Sequence, residues 1–355
     1  MADRYELAYV YARVCGSLAG SLAGGRAAEL LRIGRLADAW RAAFGDAPPA
    51  LPERSLVAAA ESRAVREAQA DFVALAASLR GEEPFFVALR RKAEFGRVKR
   101  VLLAVREGAL HCPESFDPEY PAGFDESAYP SLGSMFSGGR YGWLSDKALE
   151  DLPAAENRLD RQFYEELWEA LRSVPSRRLG SLRELVALEA ELENVVWALR
   201  LARYYGMDLP RIESLLVALP GADVVSAALE GARLAGARDG GAGGGAEGRT
   251  ARRAARRAAK PRGDAPLEDW KYAFLAEGFQ AGGIDPRTVE ARARRYLYGR
   301  LRRALHRHPF TYTPLYCFFK LKEFEAAVVL GLVEGIYLGA PAEEIAWLAP
   351  AGGVA

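Results

Sequence analysis

Three segments of this chain share one design: apolar residues at helical spacing, closed by a glycine. They run Phe95 to Gly108 (FGRVKRVLLAVREG), Glu193 to Gly206 (ENVVWALRLARYYG) and Glu325 to Gly339 (EAAVVLGLVEGIYLG). In the first, Phe95, Val98, Val101, Leu102 and Val105 fall on one helical face. Leu188, Leu192, Val195, Val196 and Leu199 do so around the second, and Leu321, Phe324, Val328 and Leu332 around the third. A glycine at that position is the usual left-handed stop of a helix, and Pro113, Pro210 and Pro341 follow shortly after, where a new element starts.

The three starts are 98 and 132 positions apart, and the longer interval contains a Gly/Ala/Arg tract of 30 residues, about Gly236 to Ala265, without which it shrinks to 102. That near-equal spacing predicts three similar helical units, residues 1–110, 111–215 and 216–355. At 355 residues the chain also exceeds what one hydrophobic core normally supports. Amphipathic helices ending in glycine are common, so spacing alone leaves chance regularity open as the alternative.

Half the residues are hydrophobic and 27% are charged, while alternating β-branched runs are scarce. The expected fold is therefore all-α. Helices are predicted over Tyr5–Leu22, Arg26–Phe44, Ser55–Leu79, Asn157–Arg172, Leu267–Gln280 and Arg287–His306. A capping box of Ser181 and Glu184 starts the second marked helix, and Pro309 and Pro314 break the chain before the third. Cys112–Trp143, rich in Pro, Gly and aromatics, reads as an irregular loop with short turns. The tract 236–265 is of low complexity and reads as an insertion without a core.

Charge narrows the function. Arg249, Arg252, Arg253, Arg256, Arg257, Lys260 and Arg262 contribute seven positive charges to a net +1, which leaves −6 on the rest of the chain. A mildly acidic body with one basic loop does not suit a surface devoted to nucleic acid. The loop itself could meet nucleic acid or anionic lipid, but a solvated insertion is the simpler reading. The longest dense apolar run, Ala326 to Val333, is eight residues between Glu325 and Glu334, against about 20 needed to span a membrane. No secretion signal opens the chain, and Cys15, Cys112 and Cys317 form no disulfide framework, so a cytoplasmic setting is expected.

No residue pattern predicts catalysis, a cofactor or a metal. GGAGGGAEG lacks the Gly-Lys-Ser/Thr of a phosphate loop. Glu189, Glu191 and Glu193 could in principle split acid and base roles, yet Arg200, Arg203 and other arginines offer them ion-pair partners. His306, His308 and Cys317 lack a zinc spacing, and His111 with Cys112 lacks an orienting acid. Catalytic, cofactor-binding and metal-binding residues are each expected to be none.

Tyr9-Val-Tyr-Ala-Arg13, Leu188-Glu-Ala-Glu-Leu-Glu-Asn-Val-Val-Trp-Ala-Leu-Arg200, Lys320-Leu-Lys-Glu-Phe-Glu-Ala-Ala-Val328 and Glu343-Glu-Ile345 together resemble the central-stalk C/d family of V/A-type rotary ATPases. The resemblance implies three similar helical domains around a pseudo-threefold axis, forming a funnel. It also implies a non-catalytic rotor connector between the shaft of the soluble ATPase and the membrane proteolipid ring. Such a part would sit at the cytoplasmic face of the membrane through its partners, serve proton or sodium transport, and need no small-molecule substrate. The other reading is a soluble helical adaptor that binds nucleic acid or anionic lipid through its basic loop.

Overall fold

Among the described residues, eleven helices longer than one turn carry the fold: α1 (Ala2–Ala19), α2 (Leu36–Phe44), α3 (Glu53–Ala76), α4 (Pro84–Arg90), α5 (Lys92–Arg106), α6 (Leu152–Arg172), α7 (Leu182–Tyr205), α8 (Leu209–Leu215), α9 (Ser226–Leu234), α10 (Pro286–Arg307) and α11 (Thr313–Leu338). This computed structural model describes residues 2–22, 26–30, 32–79, 83–113, 123–236, 266–280, 282–341 and 345. Among them there is no β-strand, only an isolated bridge between Leu219 and Ala222. The expected all-α class is observed, and no described helix is long and apolar enough to cross a membrane. The basic stretch Arg249–Arg262 and nearly all of the tract around it lie outside the described residues.

The chain divides into two compact units, residues 1–185 with 294–355, and residues 186–293. In the first, α11 is apolar almost all round its first turns, with every residue from Thr313 to Leu321 buried, as expected for a helix in the middle of a core. Alanines at Ala60 and Ala64 let α3 pack closely beside it, against Val328, Val329, Leu332 and Val333. An aromatic cluster closes one end. Phe72 meets Phe319 at 4.8 Å, Phe86 meets Tyr312 at 4.8 Å and Phe85 meets Phe86 at 5.4 Å, all in tilted or edge-on geometry. Gly335 lets the chain return: a Cβ there would lie 2.5 Å from Ile345 Cγ1.

In the second unit a polar side chain organises a loop. Asn194, buried on α7, donates from Nδ2 to the carbonyls of Val217 and Val224 (both 2.8 Å), and its Oδ1 accepts the Val217 amide at 2.9 Å. One amide thus satisfies three backbone groups that the turn would otherwise bury unpaired.

Three expectations about helices are corrected. Arg26–Phe44 is not one helix: a single turn at Ala27–Leu30 is followed by α2, because the chain passes through Gly34 and an extended Arg35 (φ −130°, ψ 135°). Leu267–Gln280 forms only 3-10 turns at Leu267–Asp269 and Ala273–Ala276. The Trp270 indole N–H donates to the Ala227 carbonyl at 2.7 Å and its ring lies against Gly231, where an added Cβ would come within 2.7 Å, so a distant anchor overrides local helical preference. Finally, Pro314 does not break the chain but sits in the first turn of α11, where its missing N–H costs nothing.

Glu94 on α5 is the buried acid with a clear pH consequence. Burial pushes its pKa up, against the pull of Arg140 and Arg91. The unfolded chain therefore loses this proton at lower pH than the folded chain. Its contribution to stability is complete in acid and declines as pH rises above the unfolded value near 4.5. Glu94→Gln is expected to flatten that part of the stability–pH curve and to be at least as stable as the parent at neutral pH. Urea midpoints across pH test this, and an equally steep decline in the variant would refute it.

Candidate functional site

The three glycines that close the marked helices all adopt positive φ: +70° at Gly108, +61° at Gly206 and +68° at Gly339. At the first and third, the next residue reaches five back, Ala109 N to Ala104 O at 2.9 Å and Ala340 N to Gly335 O at 2.8 Å. This is the Schellman arrangement, which consumes carbonyls left open at a helix end. At the second, Met207 N reaches one residue further, to Leu201 O at 3.2 Å. The expected helical faces are also found, with Phe95, Val98, Val101 and Leu102, then Leu192, Val195, Val196 and Leu199, then Leu321, Val328 and Leu332 buried.

These same ends carry apolar side chains into solvent. Eleven large hydrophobic residues are exposed among the described residues, and six belong to the three closures: Leu103 and Leu110, Tyr204 and Tyr205, Tyr337 and Leu338. Leu110 is 87% exposed and Leu338 76%. Isolated exposed leucines are ordinary, whereas here exposed apolar side chains recur near each of the three glycine-capped helix ends. Of these side chains, the tyrosines are of the type enriched among energetic anchors in protein interfaces.

The helices bearing two of these ends are tied together at their opposite ends. Just before α7, Gly180 adopts φ +52°, ψ −122°. The Ser181 amide donates to Thr313 Oγ1 at 3.0 Å, the Thr313 hydroxyl donates to the Leu179 carbonyl at 3.2 Å, and the Tyr312 amide donates to the Arg178 carbonyl at 2.9 Å. The Ser181 amide that a capping box would hand to Glu184 thus goes to the start of α11. Glu83 completes the junction by accepting from the Tyr312 hydroxyl at 2.6 Å and from Arg178 at 2.7 Å. Burial, then Glu83, pushes the Tyr312 phenol up, so it remains a donor.

The residues weighed for chemistry are not gathered. Glu189 and Glu191 are buried while Glu193 is exposed. Glu191 accepts from Lys271 at 2.7 Å, Arg200 pairs with Glu290, and Arg203 donates to the Gly282 carbonyl at 3.1 Å. His306, exposed at the end of α10, meets the Tyr11 hydroxyl at 3.0 Å through Nδ1. Cys317 is fully buried and burial pushes its thiol up. Burial likewise raises Cys112, the reverse of what a nucleophile needs. Among the described residues no group of three or more His, Cys, Asp or Glu is placed to hold a metal.

Gly180 and Asn194 went unmarked in the sequence as structural keys. A glycine after SRRL and an asparagine within a helical run carry no local signal of the distant partners that define them.

Two comparisons bear on this geometry. The family model described as "ATP synthase (C/AC39) subunit" matches residues 50–220 and 260–348. The gap between the matches holds most of the Gly/Ala/Arg tract. An uncharacterized protein of Treponema pallidum (strain Nichols) is 24% identical over 340 residues, spanning 93% of this chain and 92% of its own length.

Proposed function

Because this chain belongs to the ATP synthase (C/AC39) subunit family, the C/d family of V/A-type ATPases, we propose that it is the non-catalytic connector of a central rotor. It seats the shaft of the soluble ATPase sector on the membrane proteolipid ring and passes torque between them during proton or sodium transport. The observation that carries this reading is the threefold recurrence of a glycine-capped helix end with exposed apolar side chains. Each of the proposed units, 1–110, 111–215 and 216–355, holds one such end, and a pseudo-threefold funnel of these units is part of the proposal. Membrane attachment at the cytoplasmic face comes through partner subunits.

Torque transfer requires low compliance, which close-packed helices supply. The aromatic cluster around α11 and the junction at Gly180 fit that need. No catalytic residue, cofactor or small-molecule substrate has a role in this function.

Affinity isolation of the tagged chain from native membranes after mild solubilisation tests the proposal. Shaft and proteolipid subunits are expected in fixed ratio with it. Recovery of neither would sink the reading. Salt-sensitive RNA or DNA binding that disappears on deleting residues 249–262 would instead favour the adaptor.

A further inference from the structure

A polar concavity of about 310 Å³ in the first unit is lined by Arg140, Trp143, Arg158, Arg161, Gln162 and Glu165. Four of these residues stand at i, i+3, i+4 and i+7 on α6, so they share one helical face. Arg140 and Trp143 come from the loop opposite. Gln162 locks that loop in place. Its Oε1 accepts from Trp143 Nε1 at 3.0 Å, and its Nε2 lies 3.2 Å from the Arg140 carbonyl and 3.1 Å from Glu166 Oε1. Arg140 is held in turn by Glu166 at 3.2 Å, and the Arg158 guanidinium stacks over the Trp143 ring at 4.1 Å.

Three guanidiniums therefore face one lining carboxylate. Glu165 lies 3.9 Å from Arg161, a long ion pair, and Glu166 is shared between Arg140 and Arg91. Among the described residues no carboxylate forms an ion pair with Arg158. The excess is positive, concave and fixed in advance, and planar guanidinium forks match the paired oxygens of phosphates and carboxylates. The volume is at the lower end of small-molecule sites, which suits a compact ligand better than a polymer.

We propose that this concavity binds a compact oxyanion bearing two or more negative charges, of phosphate or carboxylate type, gripped by Arg158 and Arg161 beside the Trp143 ring. Nothing in the rotor reading requires such a site, and it would equip the chain to respond to an anionic metabolite. The platform is assembled before the ligand arrives, so little ordering opposes binding.

Isothermal titration of the full chain with pyrophosphate and, separately, citrate tests this. At least one is expected to give a saturable 1:1 isotherm with Kd below about 1 mM in moderate salt. Saturation by pyrophosphate alone identifies a phosphate ligand, and by citrate alone a carboxylate one. Arg158→Gln and Arg161→Gln should each weaken binding about tenfold or more, with circular dichroism unchanged because both side chains line an open surface. Absence of saturation by about 10 mM of either probe, or variants that bind like the parent, would overturn the proposal. The outcome is independent of whether the chain co-isolates with rotor subunits.

Discussion

Gly180→Ala is expected to destabilise the chain by about 3 kcal/mol or more. Two effects combine at this position. The backbone, at φ +52° and ψ −122°, lies outside even the left-handed region that asparagine tolerates. An added Cβ would also stand 2.5 Å from Thr313 Oγ1, 2.6 Å from Thr311 Oγ1 and 3.1 Å from His308 Cβ. Relieving those contacts means moving Thr313, which is fully buried and bridges the Ser181 amide to the Leu179 carbonyl. Gly339→Ala is the matched control. Its φ of +68° is also positive, but an added Cβ there meets nothing within 4 Å, so only the left-handed penalty of about 1–2 kcal/mol remains. Urea midpoints at constant m-value measure both. Equal losses would show that the junction yields and that the starts of α7 and α11 are not held by it.

The contrast between Gly180 and Gly339 also shows what sequence could reveal. Gly108, Gly206 and Gly339 were readable because each follows a run of apolar residues at helical spacing. Their conformation depends only on neighbours in the chain. Gly180 owes its conformation to Thr311 and Thr313, more than a hundred residues away, and no local pattern announces them. The same reasoning explains Leu267–Gln280, whose composition favours a helix until Trp270 is fixed by Ala227. It also explains the arginine-lined concavity. Arg158, Arg161, Gln162 and Glu165 recur at helical spacing, but Arg140 and Trp143 complete the site from a loop whose path could not be read. Periodicity thus disclosed the helices and their stops, whereas junctions and concavities arose from contacts between distant segments.

The largest functional effect is expected from charging the three exposed ends together. Leu110→Asp, Tyr205→Asp and Leu338→Asp replace side chains that are 87%, 55% and 76% exposed, so the folded chain should lose little stability. In an assembled rotor the same positions would be covered, and each buried, unpaired carboxylate would cost about 2 kcal/mol or more. Losses of that size at three ends compound to roughly a 10⁴-fold weaker attachment. ATP hydrolysis by the soluble sector would persist, because none of these residues takes part in it, while ATP-driven ion uptake would fall to background. Both rates can be read in the same membrane vesicles from cells whose only copy is the triple variant. Single variants should lose coupling only in part, since two intact ends still hold the partner. Full coupling in the triple variant would remove the glycine-capped ends from the rotor contact. Loss in one single variant equal to the triple would show that one end, not the repeated set, carries the attachment.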